Sequence, residues 1–241
     1  PDSPYLWGAD LQHNRLLRLD PETGEQKPYP IPYAGPTGPH TIVDTPDGQF
    51  WVTMLEQGVV GRFDPKTEQW QLFDKFGKFE MAHDIAPDYK FQAMPDPKGR
   101  YWFTLIGSNR MASLDPKTGE ITTVDTPKDE GESPMHSSLY GAVITRDGKR
   151  VWFSQLSGGI GAINTETGKL DVYLPMPQGA GPRRMAIDDN DVLWSSFGPA
   201  GVDYGSYPNT RRMVQRVLWA KDRSRALTLS DDRYAGLWNA E

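Results

Sequence analysis

The chain has 241 residues, with 26 Lys and Arg against 32 Asp and Glu and a formal net charge of −6, which argues against binding nucleic acid or an anionic membrane through bulk charge. It has no cysteine, so disulfides, thiolate metal sites, cysteine nucleophiles and iron–sulfur clusters are excluded together. No run approaches the ~18 apolar residues of a membrane span, and 24 Gly with 21 Pro disfavour long helices.

Six tryptophans, Trp7, Trp51, Trp102, Trp152, Trp194 and Trp238, stand 44, 51, 50, 42 and 44 residues apart, and the text around each repeats. The first copy begins only a few residues before Trp7. It continues through a Gln12-His13-Asn14 turn to a second turn, Asp20-Pro21-Glu22-Thr23-Gly24, and closes in Tyr29-Pro30-Ile31-Pro32. The second opens with Gly38-Pro39-His40 and turns at Asp47-Gly48 before Trp51. It then passes Glu56 and Val60-Gly61-Arg62-Phe63 and turns again at Asp64-Pro65-Lys66-Thr67-Glu68. The third carries His83-Asp84, an insertion over 84–99, Trp102, Ser108-Asn109 and the Asp115-Pro116-Lys117-Thr118-Gly119 turn. The fourth carries His136, Tyr140, Asp147-Gly148, Trp152 and the Asn164-Thr165-Glu166-Thr167-Gly168 turn.

In the fifth copy Arg183-Arg184 stand where a histidine stood before. A long loop over 197–210 follows Trp194, and Val214–Val217 and Ala226–Leu229 are weak third and fourth strands. The last segment, Arg233 to Trp238, repeats only the start of a unit.

Tight-turn pairs between apolar runs mark hairpins, and Pro and Gly at these turn positions set the required backbone angles. Four strands in ~45 residues, repeated along the chain, is a β-propeller pattern. The reading is one all-β domain over 1–241. It is a five-bladed β-propeller of four-stranded antiparallel blades around a central channel, its N- and C-terminal segments sharing one blade. A piece of a larger propeller is the competing reading.

The Gly-Pro-His, Pro-Asp-Gly-x-x-Trp and Gly-Arg-Phe-Asp-Pro text of residues 38–65, with weaker copies at 140–168 and 181–194, resembles the streptogramin B lyase family of β-propellers. That family opens the cyclic ester of a peptide antibiotic by elimination with a divalent metal, and its members are typically seven-bladed. The chain is more widely similar to gluconolactonase and paraoxonase-like propellers, which hydrolyse lactones with calcium in the channel. Family members often place Glu three residues after the blade tryptophan. Those positions here read Asp10, Met54, Leu105, Gln155, Phe197 and Glu241, so the lyase acids are mostly missing.

In a propeller the repeated Asp turns fall on one face, where turn geometry explains them. The other face, holding the connections into each first strand, carries all four histidines. His40 and His83 are the candidate general bases, since neutral imidazole takes a proton or a metal near pH 7. Each is equally at home as a channel histidine satisfied by backbone hydrogen bonds. Tyr140, Arg183 and Arg184 are candidate substrate contacts, and Tyr204 and Tyr207 in the long loop are a candidate lid; rim salt bridges and a packed loop are the alternatives. The resemblances imply a Ca2+ ion, or Mg2+, held by oxygen donors from Asp10, Glu56, Asp84, Asn109 and Glu241.

The leading expectation is a divalent-cation-dependent hydrolase, acting as a monomer on a small lactone such as an acyl-homoserine or sugar lactone. The second is a lyase opening a cyclic depsipeptide by elimination, and the third a non-catalytic ligand- or protein-binding propeller. The sequence leaves the compartment open.

Overall fold

The computed structural model describes residues 4–77, 80–128, 138–156, 158–176 and 181–196 with their side chains. Beyond them it describes the backbones of Phe197, Met213–Trp219, Arg225–Ser230 and Ala235–Asn239. These residues form five antiparallel sheets. The first holds β1 (Leu6–Asp10), β2 (Arg15–Leu19) and β3 (Gln26–Pro30). The second holds β4 (Pro39–Asp44), β5 (Phe50–Met54), β6 (Val60–Asp64) and β7 (Gln69–Phe73). The third holds β8 (Met81–Ile85), β9 (Tyr101–Ile106), β10 (Arg110–Leu114) and β11 (Ile121–Asp125). In the fourth are β12 (Leu139–Ile144), β13 (Arg150–Gln155), β14 (Gly159–Asn164) and β15 (Lys169–Pro175). The fifth runs through β16 (Pro182–Ile187), β17 (Leu193–Phe197), β18 (Met213–Trp219), β19 (Arg225–Ser230) and β20 (Ala235–Asn239).

Each sheet is a meander in sequence order, as expected when short turns join neighbouring strands. The repeated aspartates build those turns. A carboxylate oxygen of Asp20, Asp64 and Asp115 accepts the N–H two residues on at 2.8–2.9 Å, and the Asn164 amide oxygen does so at 3.0 Å. The short side chain folds back on its own backbone.

The tryptophan period is the period of sheet-on-sheet packing. Trp7 meets Phe50 of the next sheet at 5.0 Å between ring centroids, and Trp51 meets Tyr101 of the third at 4.8 Å. Trp102 is buried with Val151 and Phe153, and Trp152 with Met185 and Leu193. Each blade thus plugs its tryptophan into the next, and the first strands β4, β8, β12 and β16 pack in succession. This is a β-propeller-like array. The 84–99 insertion binds it on the far face: Ala93 N–H donates to the Asp44 carbonyl at 2.7 Å, and Ile144 N–H to the Pro87 carbonyl at 2.9 Å.

The termini correct the sequence reading. The five sheets do not all hold four strands: the first has three and the last five. β20 pairs with β19, from Arg225↔Asn239 to Leu229↔Ala235, and does not share a blade with β1. Chain closure explains the choice. β19 and β20 are neighbours in sequence, whereas pairing with β1 closes the whole chain into one loop, at greater entropic cost.

Candidate active site

The four first strands share one irregularity. Their register with the second strand shifts between Pro39 and Ile42 in β4, Ala82 and Ile85 in β8, Leu139 and Ala142 in β12, and Pro182 and Met185 in β16. Two residues per blade are therefore released from regular pairing: His40-Thr41, His83-Asp84, Tyr140-Gly141 and Arg183-Arg184. Such bulges re-aim side chains. The sequence reading placed His40 and His83 in connecting loops; the structure places them inside strands β4 and β8.

A hydroxyl on the second strand holds three of the four bulges. Thr53 Oγ1 accepts the Thr41 N–H at 3.1 Å and donates to the His83 carbonyl of the next blade at 2.7 Å. Thr104 Oγ1 accepts the Asp84 N–H at 3.0 Å and donates to the Tyr140 carbonyl at 3.0 Å. Ser154 Oγ accepts the Gly141 N–H at 2.9 Å and donates to the Arg183 carbonyl. Gly141 has no room for a side chain, because a Cβ there would stand 2.4 Å from the Arg183 carbonyl oxygen.

The same carbonyls also fix the two histidines. His40 Nδ1 lies 3.3 Å from the His83 carbonyl and 3.0 Å from Thr41 Oγ1, whose own hydrogen goes to Asp84 Oδ1 at 2.8 Å. His83 Nδ1 lies 2.9 Å from the Tyr140 carbonyl. A carbonyl only accepts, so Nδ1 carries the proton in both rings, and in the neutral form Nε2 keeps a bare lone pair. The rings stand in a row, tilted to one another, His40 to His83 at 4.4 Å and His83 to Tyr140 at 4.2 Å.

Burial and a neighbouring charge disfavour the charged form of both rings. Burial lowers the His40 pKa from the ordinary 6.5, with the Arg184 charge adding to it. His83 is only 3 % exposed, and burial, reinforced by His40 and Arg184, pushes it down to about 3. Asp84 moves the other way: burial raises it to about 6, against the opposing pull of Arg184 and Thr41. Asp84 and Arg184 form an ion pair in which the carboxylate is buried and the guanidinium half open. The guanidinium carbons of Arg183 and Arg184 stand 5.5 and 5.3 Å from the Tyr140 ring centroid.

His40, His83, Asp84, Tyr140, Arg183 and Arg184 thus come together from four blades. Among the described residues the other expected cation donors, Asp10, Glu56 and Asn109, do not join them. Asp10 is held by His13 and Arg15, each at 2.8 Å. Glu56 lies exposed beside Gly38. Asn109 spends its amide on the carbonyls of Thr126 and Pro127 and accepts from Gln155. Asp84 is committed to Arg184 and Thr41. No three His, Asp or Glu among the described residues are grouped to hold a metal, so the described donors alone do not assemble the implied Ca2+ or Mg2+ site. His136, Tyr204, Tyr207 and Glu241 lie outside the described residues.

Sequence reasoning missed Thr41, Thr53, Thr104 and Ser154. The signal was present: a hydroxyl residue stands two places after Trp51, Trp102 and Trp152. Threonine at such a position reads first as a simple strand former.

No protein-family model matches the chain, and no curated protein matches it. Solved structures do. Virginiamycin B lyase from Staphylococcus aureus matches over 99 % of this chain and 82 % of its own, at 17 % identity and a TM-score of 0.67. A catalytically inactive histidine-to-alanine variant of that lyase, with quinupristin, matches over 98 % and 76 %, at 17 % identity and 0.64. Hydrazine synthase from Kuenenia stuttgartiensis matches over 97 % and 66 %, at 15 % identity and 0.68. The fold is therefore a streptogramin B lyase-like propeller. Such different enzymes share it that the chemistry must be argued from the site.

Proposed function

We propose that this chain opens a ring ester by elimination, with His40 as the base. One observation carries the reading: two imidazoles are each tied through Nδ1–H to a backbone carbonyl, which leaves Nε2 of the more open ring, His40, as the proton acceptor. His40 is the more open ring and takes the proton; His83, packed against it at 4.4 Å, holds its place. The fold likeness to virginiamycin B lyase favours elimination over the lactone hydrolysis that the sequence put first. A variant of that lyase with a histidine replaced by alanine is catalytically inactive.

His40 Nε2 removes a proton from the carbon next to the one bearing the ring oxygen. That carbon–oxygen bond breaks, its electron pair leaves with the carboxylate, and a carbon–carbon double bond forms. Water is not consumed. Arg184, with Arg183 behind it, stabilises the negative charge that develops on the leaving carboxylate, and Tyr140 packs against the substrate. A cyclic depsipeptide is the substrate class that this chemistry fits.

The test is incubation with cyclic depsipeptides and with acyl-homoserine and sugar lactones, followed by product mass. Elimination gives an opened product of unchanged mass, and His40→Ala lowers its rate by about 10²–10⁴-fold. A product heavier by one water shows hydrolysis. No turnover of any ring ester, or a His40→Ala variant as active as the parent, overturns the reading.

A further inference from the structure

Seven polar side chains line the four bulges: His40, Thr41, His83, Asp84, Tyr140, Arg183 and Arg184. Two of them carry positive charge and one negative, and the negative one is the least available. The Asp84 side chain is 8 % exposed and lies under Thr41, while the Arg184 side chain is 48 % exposed. A guanidinium presents five N–H donors in a planar fork. Among the described residues Asp84 takes a donor from Nη1 alone, and with the side chain 48 % exposed further donors of the fork are open to a ligand. The guanidinium carbons of Arg183 and Arg184 both stand within 5.5 Å of the Tyr140 ring centroid.

We infer that the open edge of Arg184 is a binding site for a carboxylate, the group set free when a ring ester opens. Its biological source rests on the ring-ester reading; the binding itself does not. A planar carboxylate matches the fork with two parallel hydrogen bonds. The acid end of an opened product is therefore retained at the channel mouth and competes with the next substrate.

The experiment titrates the intact protein with sodium acetate at constant ionic strength, chloride making up the balance, and follows by NMR the Arg184 Nε–H resonance in the parent and the backbone amide resonances of Tyr140 and Gly141 in the parent and every variant. A saturable shift is expected. Arg184→Lys, which keeps the charge and loses the fork, weakens binding about tenfold, and Arg184→Gln abolishes it. Arg146→Gln, at a guanidinium packed on Tyr89, leaves binding unchanged and shows that general charge is not the cause. No saturable shift, acetate binding that survives in Arg184→Gln, or binding of phosphate but not acetate overturns the inference. Acetate binding without turnover of any ring ester sinks the lyase reading and leaves the carboxylate site standing. Turnover without acetate binding does the reverse.

Discussion

The hydroxyl of Thr53 donates to the carbonyl of His83 across the gap between two blades, at 2.7 Å. The same carbonyl faces His40 Nδ1 at 3.3 Å. One backbone oxygen thus joins the blade-to-blade staple to the ring that we propose as the base. The Thr104 hydroxyl and His83 Nδ1 repeat the arrangement on the Tyr140 carbonyl.

Thr53→Val keeps the shape and removes the staple. The Thr41 N–H loses its acceptor and the His83 carbonyl one of its two donors. We expect a loss of about 1–3 kcal/mol in urea denaturation, restored in large part by Thr53→Ser. A valine variant as stable as the parent contradicts the staple.

His83 makes acid stability testable, and the sign follows from its lowered pKa. Above pH 6.5 the ring is neutral in both folded and unfolded chains. Between 6.5 and about 3 the unfolded chain binds a proton that the folded one refuses, so stability falls as pH falls. Asp84, raised from 3.8 to about 6, acts in the opposite sense: between those values the folded chain keeps a proton that the unfolded one has lost, so stability rises as pH falls. His83→Asn, whose amide still reaches the Tyr140 carbonyl, removes only the first effect. Between pH 7 and pH 5 the variant should gain stability relative to the parent, measured by denaturation at both values. An unchanged difference argues that His83 titrates normally.

Arg184→Gln leaves a buried carboxylate without its cation. At pH 8, where Asp84 is charged, the loss should be about 1–2 kcal/mol, modest because Arg184 is half exposed. At pH 5 Asp84 is protonated and the loss should shrink. Equal losses at the two pH values place the cost in packing and not in charge.

Gly141→Ala puts a methyl group against the Arg183 carbonyl oxygen, at 2.4 Å from backbone. Neither blade can yield without moving the bulge. A destabilisation of about 1–3 kcal/mol is expected in thermal unfolding, together with loss of the arginine–Tyr140 contact. Full stability shows that β12 and β16 stand farther apart.

Much of this was legible in the sequence because its cause is local. Asp20, Asp64, Asp115 and Asn164 bend their own backbone, and the tryptophans mark one blade each, so turns and period show in the text. His40, His83, Arg183 and Arg184 stood out by occupying one place in successive copies. The Asp84–Arg184 pair did not, since it joins residues 100 positions apart and depends on the bulges that turn both side chains inward. Asp10 and Asn109 suggested cation donors by type, but their neighbours, Arg15 in one case and the Thr126 and Pro127 carbonyls in the other, use them up. The pairing of β20 with β19 follows from competition between a near and a distant partner, which a repeat pattern alone does not decide.

The account turns on the protonation of two rings, and nitrogen NMR of the imidazoles reads it directly. With histidine labelled at both ring nitrogens, His40 and His83 at pH 7 should each show a protonated Nδ1 and an unprotonated Nε2, and His83 should keep that pattern at pH 5. A proton on Nε2 of His40 at pH 7, or a doubly protonated ring, would leave the proposed base without its lone pair and contradict the mechanism.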